Sequence, residues 1–194
     1  TVADVDAYYN SIEVDENKPI EKGLNSQLVK VDGKVQERVW KSGGLYGASI
    51  DKIIYWLEKA QAVAENEAQA KGLGLLIEYY KTGSLQTWDE YNIVWATSTD
   101  GDIDYINGFI EVYNDPKGYK GSYESVVQIK DFEMSKKMAV LANNAQWFED
   151  NSPLEPSHKK ENVVGVSYKT VNVAGEAGDA SPSTPIGINL PNNN

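Results

Sequence analysis

The chain has 194 residues, with 29 acidic and 18 basic side chains and a net charge of -11. Because this charge repels phosphates, and because no apolar run approaches the roughly 20 residues that span a bilayer, we expect neither a nucleic-acid nor a membrane partner. The chain has no cysteine and one histidine, His158, which we expect to be solvated. Disulfides, thiolate catalysis and multi-histidine metal sites within this chain are thereby excluded.

The first half of the chain begins with a polar arm, residues 1–23, in which we predict a short helix. Asp32 and Gly33 lie between β-branched runs and predict a hairpin over residues 28–39, because Asp-Gly adopts the positive φ of a tight turn. Apolar residues at helical spacing then predict three helices, over residues 49–66, residues 73–83 and residues 84–95, the last with Ser84 as its N-cap.

The second half mixes strands and helices. Alternating side chains predict strands over residues 105–113 and 123–129, joined by an Asn-Asp-Pro turn. Without regular βαβ alternation, the fold class is α+β, with several helices packed on short, mainly antiparallel strands. The later predicted elements are a helix through residues 134–148, a loop over 150–161, a strand over 163–173, a mobile segment over 174–185 and a short strand over 186–190.

The strand predicted at residues 105–113 carries the side chains best suited to chemistry. Strand alternation puts Phe109, Glu111 and Tyr113 on one face and the intervening aliphatic side chains on the core face. A phenol can donate a hydrogen bond to a developing oxyanion, and a carboxylate can hold a cationic amine. An exposed strand face carrying an ordinary glutamate and tyrosine explains the same pattern.

Two other features could extend this site. Glu124, across the turn, could form with Glu111 the kind of carboxylate pair that serves glycoside hydrolysis or amine recognition. Gly187 would let an extended peptide pair with the final strand, while the amides of Asn189 and Asn192 could hold the peptide end. Ordinary surface charges and surface asparagines account equally well for these positions.

Three motifs in a fixed order suggest a family. Residues 108–116 read Gly-Phe-Ile-Glu-Val-Tyr-Asn-Asp-Pro, residues 121–127 read Gly-Ser-Tyr-Glu-Ser-Val-Val, and the third motif joins Ala-Gly at 174–175 to Gly-Ile-Asn-Leu-Pro-Asn at 187–192. In this order the motifs resemble those of the dipeptidyl peptidase III family of zinc aminopeptidases. The similarity covers most of residues 24–192.

The resemblance implies a role for each matching residue. Tyr113 corresponds to the active-site tyrosine that hydrogen-bonds the scissile carbonyl and its tetrahedral intermediate. Glu111 and Glu124 correspond to carboxylates that receive the free amino terminus of the peptide. The other implied substrate-binding positions are Gly187, on the strand that pairs with the substrate backbone, and Asn189 and Asn192, which help to hold the amino terminus.

The zinc motif of the family, His-Glu-x-x-Gly-His, is absent from this sequence. The resemblance therefore implies that residues 1–194 are a single fragment of a two-lobed zinc peptidase that removes dipeptides from short peptides with a free N-terminus. Residues 24–130 and 162–194 would belong to the β-containing lobe, and residues 131–161 could begin the other lobe. We expect the zinc to be carried by the missing lobe, which would be a partner of this chain, and we expect this chain alone to be inactive. The resemblance slightly favours a cytoplasmic location for the protein.

Two alternatives to a peptidase fragment remain at this point. The same strands could form a non-catalytic peptide- or protein-binding module. Glu111 and Glu124 could instead serve a metal-free glycosidase, which requires the two carboxyl groups to face each other at roughly 5–9.5 Å across a sugar-sized groove.

Overall fold

The fold combines helices with two small antiparallel sheets, which confirms the predicted α+β class. The computed structural model describes residues 1–13, 15, 19, 21–163 and 169–181. Within these residues, no helix is both long and apolar enough to cross a bilayer. The helices are α1 (Val2–Asn10), α2 (Gly47–Gln61), α3 (Glu67–Thr82), α4 (Leu85–Thr97), α5 (Phe132–Asn143), α6 (Ala145–Asp150) and a short 3-10 helix (Pro156–His158). The strands are β1 (Ser26–Val31), β2 (Lys34–Val39), β3 (Ile103–Glu111), β4 (Ser122–Lys130) and β5 (Val171–Gly178).

Local signals in the sequence set the boundaries of several elements. β1 and β2 form the predicted hairpin, and Asp32 and Gly33 have the positive φ angles of 49° and 79° that its turn requires. The side chain of Ser84 accepts a hydrogen bond from the Thr87 N–H at 3.2 Å, as predicted for the N-cap of α4. The helix predicted over 49–66 ends earlier, at Gln61. The chain then turns, and Asn66 serves as the N-cap of the next helix, α3.

The main core collects buried side chains from α2, α3, α4 and β3. Aromatic rings fill much of it: the Phe109 ring lies 4.6 Å from Trp40, and the Trp88 ring lies 4.9 Å from Tyr79, centroid to centroid. Gly108 lets β3 approach α4 closely, since a Cβ at this position would overlap the Trp88 ring. The helices thus fix the position of β3.

Leu76, in the middle of α3, is fully buried in this core. Leu76→Ala should lower the free energy of unfolding by about 2–5 kcal/mol, because it removes buried methyl groups and leaves a cavity. The urea-unfolding midpoint at constant slope measures this loss. The matched control is Ile93→Ala on the exposed side of α4, which should change stability by less than about 1 kcal/mol. A Leu76→Ala effect as small as the control would contradict the packing described here.

The three-stranded sheet has the order β3-β4-β5 and is antiparallel throughout. β3 pairs with β4 in even register as far as Phe109↔Tyr123, after which Glu111 pairs with Ser122. Ile110 is therefore an extra residue, a β-bulge, which bends β3 and shifts its alternation. As a result Phe109 is buried in the core while Tyr113 is 70% exposed, so the prediction that they share one face with Glu111 is wrong.

Other parts of the second half also differ from the prediction. The helix expected over 134–148 divides at Asn144, whose side chain bonds back to the Val140 carbonyl at 2.7 Å. β5 covers 171–178, so the stretch predicted as mobile begins as a paired strand. β5 is an edge strand whose last part is rich in glycine and alanine, and main-chain hydrogen bonds to β4 hold it in the sheet. Residues 164–168 and the strand predicted over 186–190 lie outside the described residues.

Candidate functional site

Tyr113 lies just after β3, in the turn that leads to β4. The turn is closed by Asp115, whose N–H donates to the Val112 carbonyl at 3.0 Å. The Asp115 carboxylate accepts hydrogen bonds from the N–H groups of Lys117 and Tyr119 at 3.2 and 3.1 Å. The backbone that carries Tyr113 is therefore well defined, but its side chain is 70% exposed and is held by little packing.

The phenol of Tyr113 donates a hydrogen bond to the carboxylate of Asp179, which follows β5. Asp179 is itself held by its backbone, since its N–H donates to the Tyr123 carbonyl at 2.8 Å. The preceding residue, Gly178, has a φ of 70°, and a Cβ there would clash with the same carbonyl. Only glycine fits this close approach without strain, so Gly178 sets the path of the chain into Asp179.

The hydrogen bond to Asp179 raises the pKa of Tyr113 to about 12, with smaller contributions from burial and from the charges of Asp179, Glu111 and Glu124. Losing the proton would place a phenolate beside carboxylates, which is electrostatically unfavourable. At neutral pH the phenol is therefore protonated and can serve as a hydrogen-bond donor.

Glu124 is buried in β4, with only 9% of its surface exposed. The residues paired with it on either side are glycines, Gly108 on β3 and Gly178 on β5, so no neighbouring side chain covers it from those positions. Burial raises the pKa of Glu124, and the negative charges of Glu111 and Asp179 raise it further. No ion pair among the described residues neutralises it. Such a carboxylate favours an incoming cation.

The pairing of β3 with β4 thus places three of the predicted site residues, Glu111, Tyr113 and Glu124, close enough for the charges of the two glutamates to raise the pKa of Tyr113. Their roles in binding and catalysis remain predictions. The other three predicted positions, Gly187, Asn189 and Asn192, lie outside the described residues.

Asp179 is the residue that sequence reasoning missed. It lies in a glycine-rich stretch, and its contact with Tyr113 depends on the pairing of β5 with β4, which places residues 66 positions apart side by side. The only local signal was an acidic residue directly after Gly178.

The described residues do not fit the zinc site that the family resemblance implies. Within the described ranges, no group of three or more histidine, aspartate or glutamate side chains could hold a metal ion. His158 is exposed in the short 3-10 helix, as expected for a solvated histidine.

Comparisons with known proteins give a consistent family. The sequence profile of peptidase family M49 matches residues 11–194 of this chain. Dipeptidyl peptidase 3 from Homo sapiens is 30% identical over 149 residues, which cover 77% of this chain and 20% of that protein. Nudix hydrolase 3 from Arabidopsis thaliana is 27% identical over 161 residues, covering 82% of this chain and 18% of that protein. The chain thus spans about a fifth of the length of these curated relatives.

A solved structure shares the fold. The structure of dipeptidyl peptidase III from Caldithrix abyssi superposes with a TM-score of 0.69 at 23% identity. The match covers 82% of this chain and 30% of that one.

Proposed function

Because this chain belongs to peptidase family M49, we propose that it supplies part of the substrate cleft of a longer dipeptidyl peptidase, which removes dipeptides from the free N-terminus of short peptides. The observation that carries this proposal is geometric: the phenol of Tyr113 bonds to Asp179, and the residue before Asp179 pairs with the buried Glu124. The phenol can donate to an oxyanion and the carboxylate of Glu124 can bind an amine.

The amino terminus of the peptide would bind to Glu111 and Glu124. Burial and neighbouring acids make the ionised form of Glu124 costly in the free protein. A bound ammonium group relieves this cost, since an opposite charge favours the ionised carboxylate and forms charge-assisted hydrogen bonds. Asn189 and Asn192 would help to hold the same end, as the family resemblance implies.

Fixing the ammonium group would determine which peptide bond reacts. The carbonyl after the second residue then lies at a set distance from the bound amine, and Tyr113 would donate its hydrogen bond to the oxygen as negative charge develops there. Pairing of the substrate backbone with the strand predicted at Gly187 would keep the peptide extended over that distance.

The metal of this peptidase would be held by residues of the longer protein that are not among these 194. This part of the proposal rests on the single histidine of the chain and on the lack of a metal-binding cluster in its described ranges. This chain alone is therefore expected to be inactive.

The test uses the full-length protein that contains this chain. We expect it to release dipeptides from an unblocked dipeptidyl arylamide, to lose this activity with a chelator, and to cleave the N-acetylated arylamide at least about 30-fold more slowly. Acetylation removes the positive charge that the carboxylates would bind, a loss of about 2 kcal/mol or more. The 194-residue chain alone is the negative control. No cleavage of either substrate would refute the peptidase and favour a peptide-binding module.

A further inference from the structure

The hydroxyl group of Tyr113 is not held in place by its own surroundings. The residue lies outside β3, its side chain is 70% exposed, and its ring makes none of the aromatic contacts found among the described residues. An exposed tyrosine of this kind samples several rotamers unless a specific bond selects one. The hydrogen bond to Asp179 makes that selection.

Asp179 is anchored on both sides. On one side its N–H bonds to the Tyr123 carbonyl of β4 at 2.8 Å. On the other side Ala180 is only 4% exposed and packs in a second core cluster with Ile106 and Val126. The carboxylate therefore extends from a rigid part of the sheet toward a side chain on a turn.

We propose that Asp179 is a positioning residue for Tyr113, and that its carboxylate holds the phenol beside Glu111 and Glu124 before substrate binds. The inference rests on the proposed function, in which Tyr113 donates to the oxyanion. Since the phenol has one proton, it releases Asp179 when it donates to the substrate oxygen. Both acceptors are negatively charged oxygens, so the phenol exchanges one charge-assisted hydrogen bond for another. Little reorganisation is then needed in the transition state.

Two substitutions separate the position of the phenol from the charge beside it. In Asp179→Asn the amide oxygen still accepts the hydrogen bond, but the charge is gone. In Asp179→Ala both are lost. We expect kcat of the full-length protein to fall about 10- to 100-fold in Asp179→Ala, the cost of a misplaced catalytic group, and to be largely retained in Asp179→Asn. KM should change little, because Glu111 and Glu124 are untouched.

A second readout does not depend on activity. Ultraviolet titration of the full-length protein, with the Tyr113→Phe variant subtracted to isolate this phenol from the other tyrosines, follows the pKa of Tyr113 directly. In Asp179→Ala this pKa should fall from about 12 toward the ordinary value of about 10, because both the hydrogen bond and the neighbouring charge are lost. In Asp179→Asn it should fall less, because the amide oxygen still accepts the hydrogen bond while the charge is lost. Glu133→Gln, at an exposed glutamate on α5, is the charge-matched control and should leave both kcat and this pKa unchanged.

The outcomes distinguish this inference from the proposed function. If Asp179→Ala retains full kcat while Tyr113→Phe loses it, the positioning role is wrong and the proposed function stands. If the pKa of Tyr113 does not change in either Asp179 variant, the contact is absent and the inference is wrong. If Tyr113→Phe itself is fully active, both the inference and the catalytic role of Tyr113 fail.

Discussion

Tyr113→Phe is expected to lower kcat of the full-length protein about 100-fold or more, with little change in KM. The substitution removes one hydroxyl group, which in our proposal donates to the oxyanion of the tetrahedral intermediate. Removing one such donor typically costs about 100- to 1,000-fold in kcat. Substrate binding should be nearly unaffected, because the carboxylates that would hold the amino terminus remain. Steady-state kinetics with an unblocked dipeptidyl arylamide measures both constants.

The loss should not come from unfolding. Tyr113 is largely exposed and contributes one hydrogen bond, so its replacement should change the free energy of unfolding by no more than about 1 kcal/mol. The matched control is Tyr55→Phe on α2, where another exposed phenol is lost away from the site. A Tyr113→Phe enzyme as active as this control would exclude the phenol from catalysis.

Glu124→Gln should weaken substrate recognition but increase the stability of the fold at pH 7. In our proposal the substitution removes a buried charge that pairs with the ammonium group of the peptide. Truncating one partner of such a pair costs about 2 kcal/mol or more, or roughly 30-fold in kcat/KM. The loss should appear mainly as a higher KM for the unblocked arylamide, and the N-acetylated arylamide should be affected much less.

The stability effect of Glu124→Gln follows from the raised pKa of this carboxyl group, which is caused first by burial and then by Glu111 and Asp179. The folded chain keeps the proton to a higher pH than the unfolded chain. Stability is therefore greatest below the ordinary pKa of glutamate and falls as the pH rises through the raised value. Glutamine carries no such charge, so the variant should be more stable than the wild type at pH 7. The difference should vanish in acid.

Urea unfolding at several pH values tests this dependence. Glu133→Gln is the control, because this glutamate is exposed on α5 and should show no pH-dependent gain. A Glu124→Gln variant that is less stable than the wild type at pH 7 would mean that the carboxylate is satisfied in the folded chain.

Features governed by neighbouring residues could be predicted from the sequence. Asp32 and Gly33 specify a hairpin turn through their own backbone preferences, and Ser84 caps α4 by bonding three residues ahead. The helices follow from apolar spacing because each buries one face in a shared core. Motif order was also sufficient to identify the family.

Features governed by pairing between distant strands could not be predicted. The bulge at Ile110 is visible only in the register of β3 against β4, and it overturned the expected facing of Phe109. Asp179 meets Tyr113 because β5 pairs with β4 from Lys130 back to Glu124, which no local pattern encodes. Glu111, Tyr113 and Glu124 were thus read from motifs, whereas Asp179 was found only through the pairing of the sheet.

The bulge at Ile110 also determines which length changes this family can tolerate here. Because Ile110 has no partner of its own on β4, a relative that lacks this residue would still pair Phe109 with Tyr123 and Glu111 with Ser122, on a straighter strand. When distant relatives are aligned, a one-residue gap at position 110 is therefore compatible with the sheet, whereas a gap within residues 103–109 would move part of β3 to the opposite face.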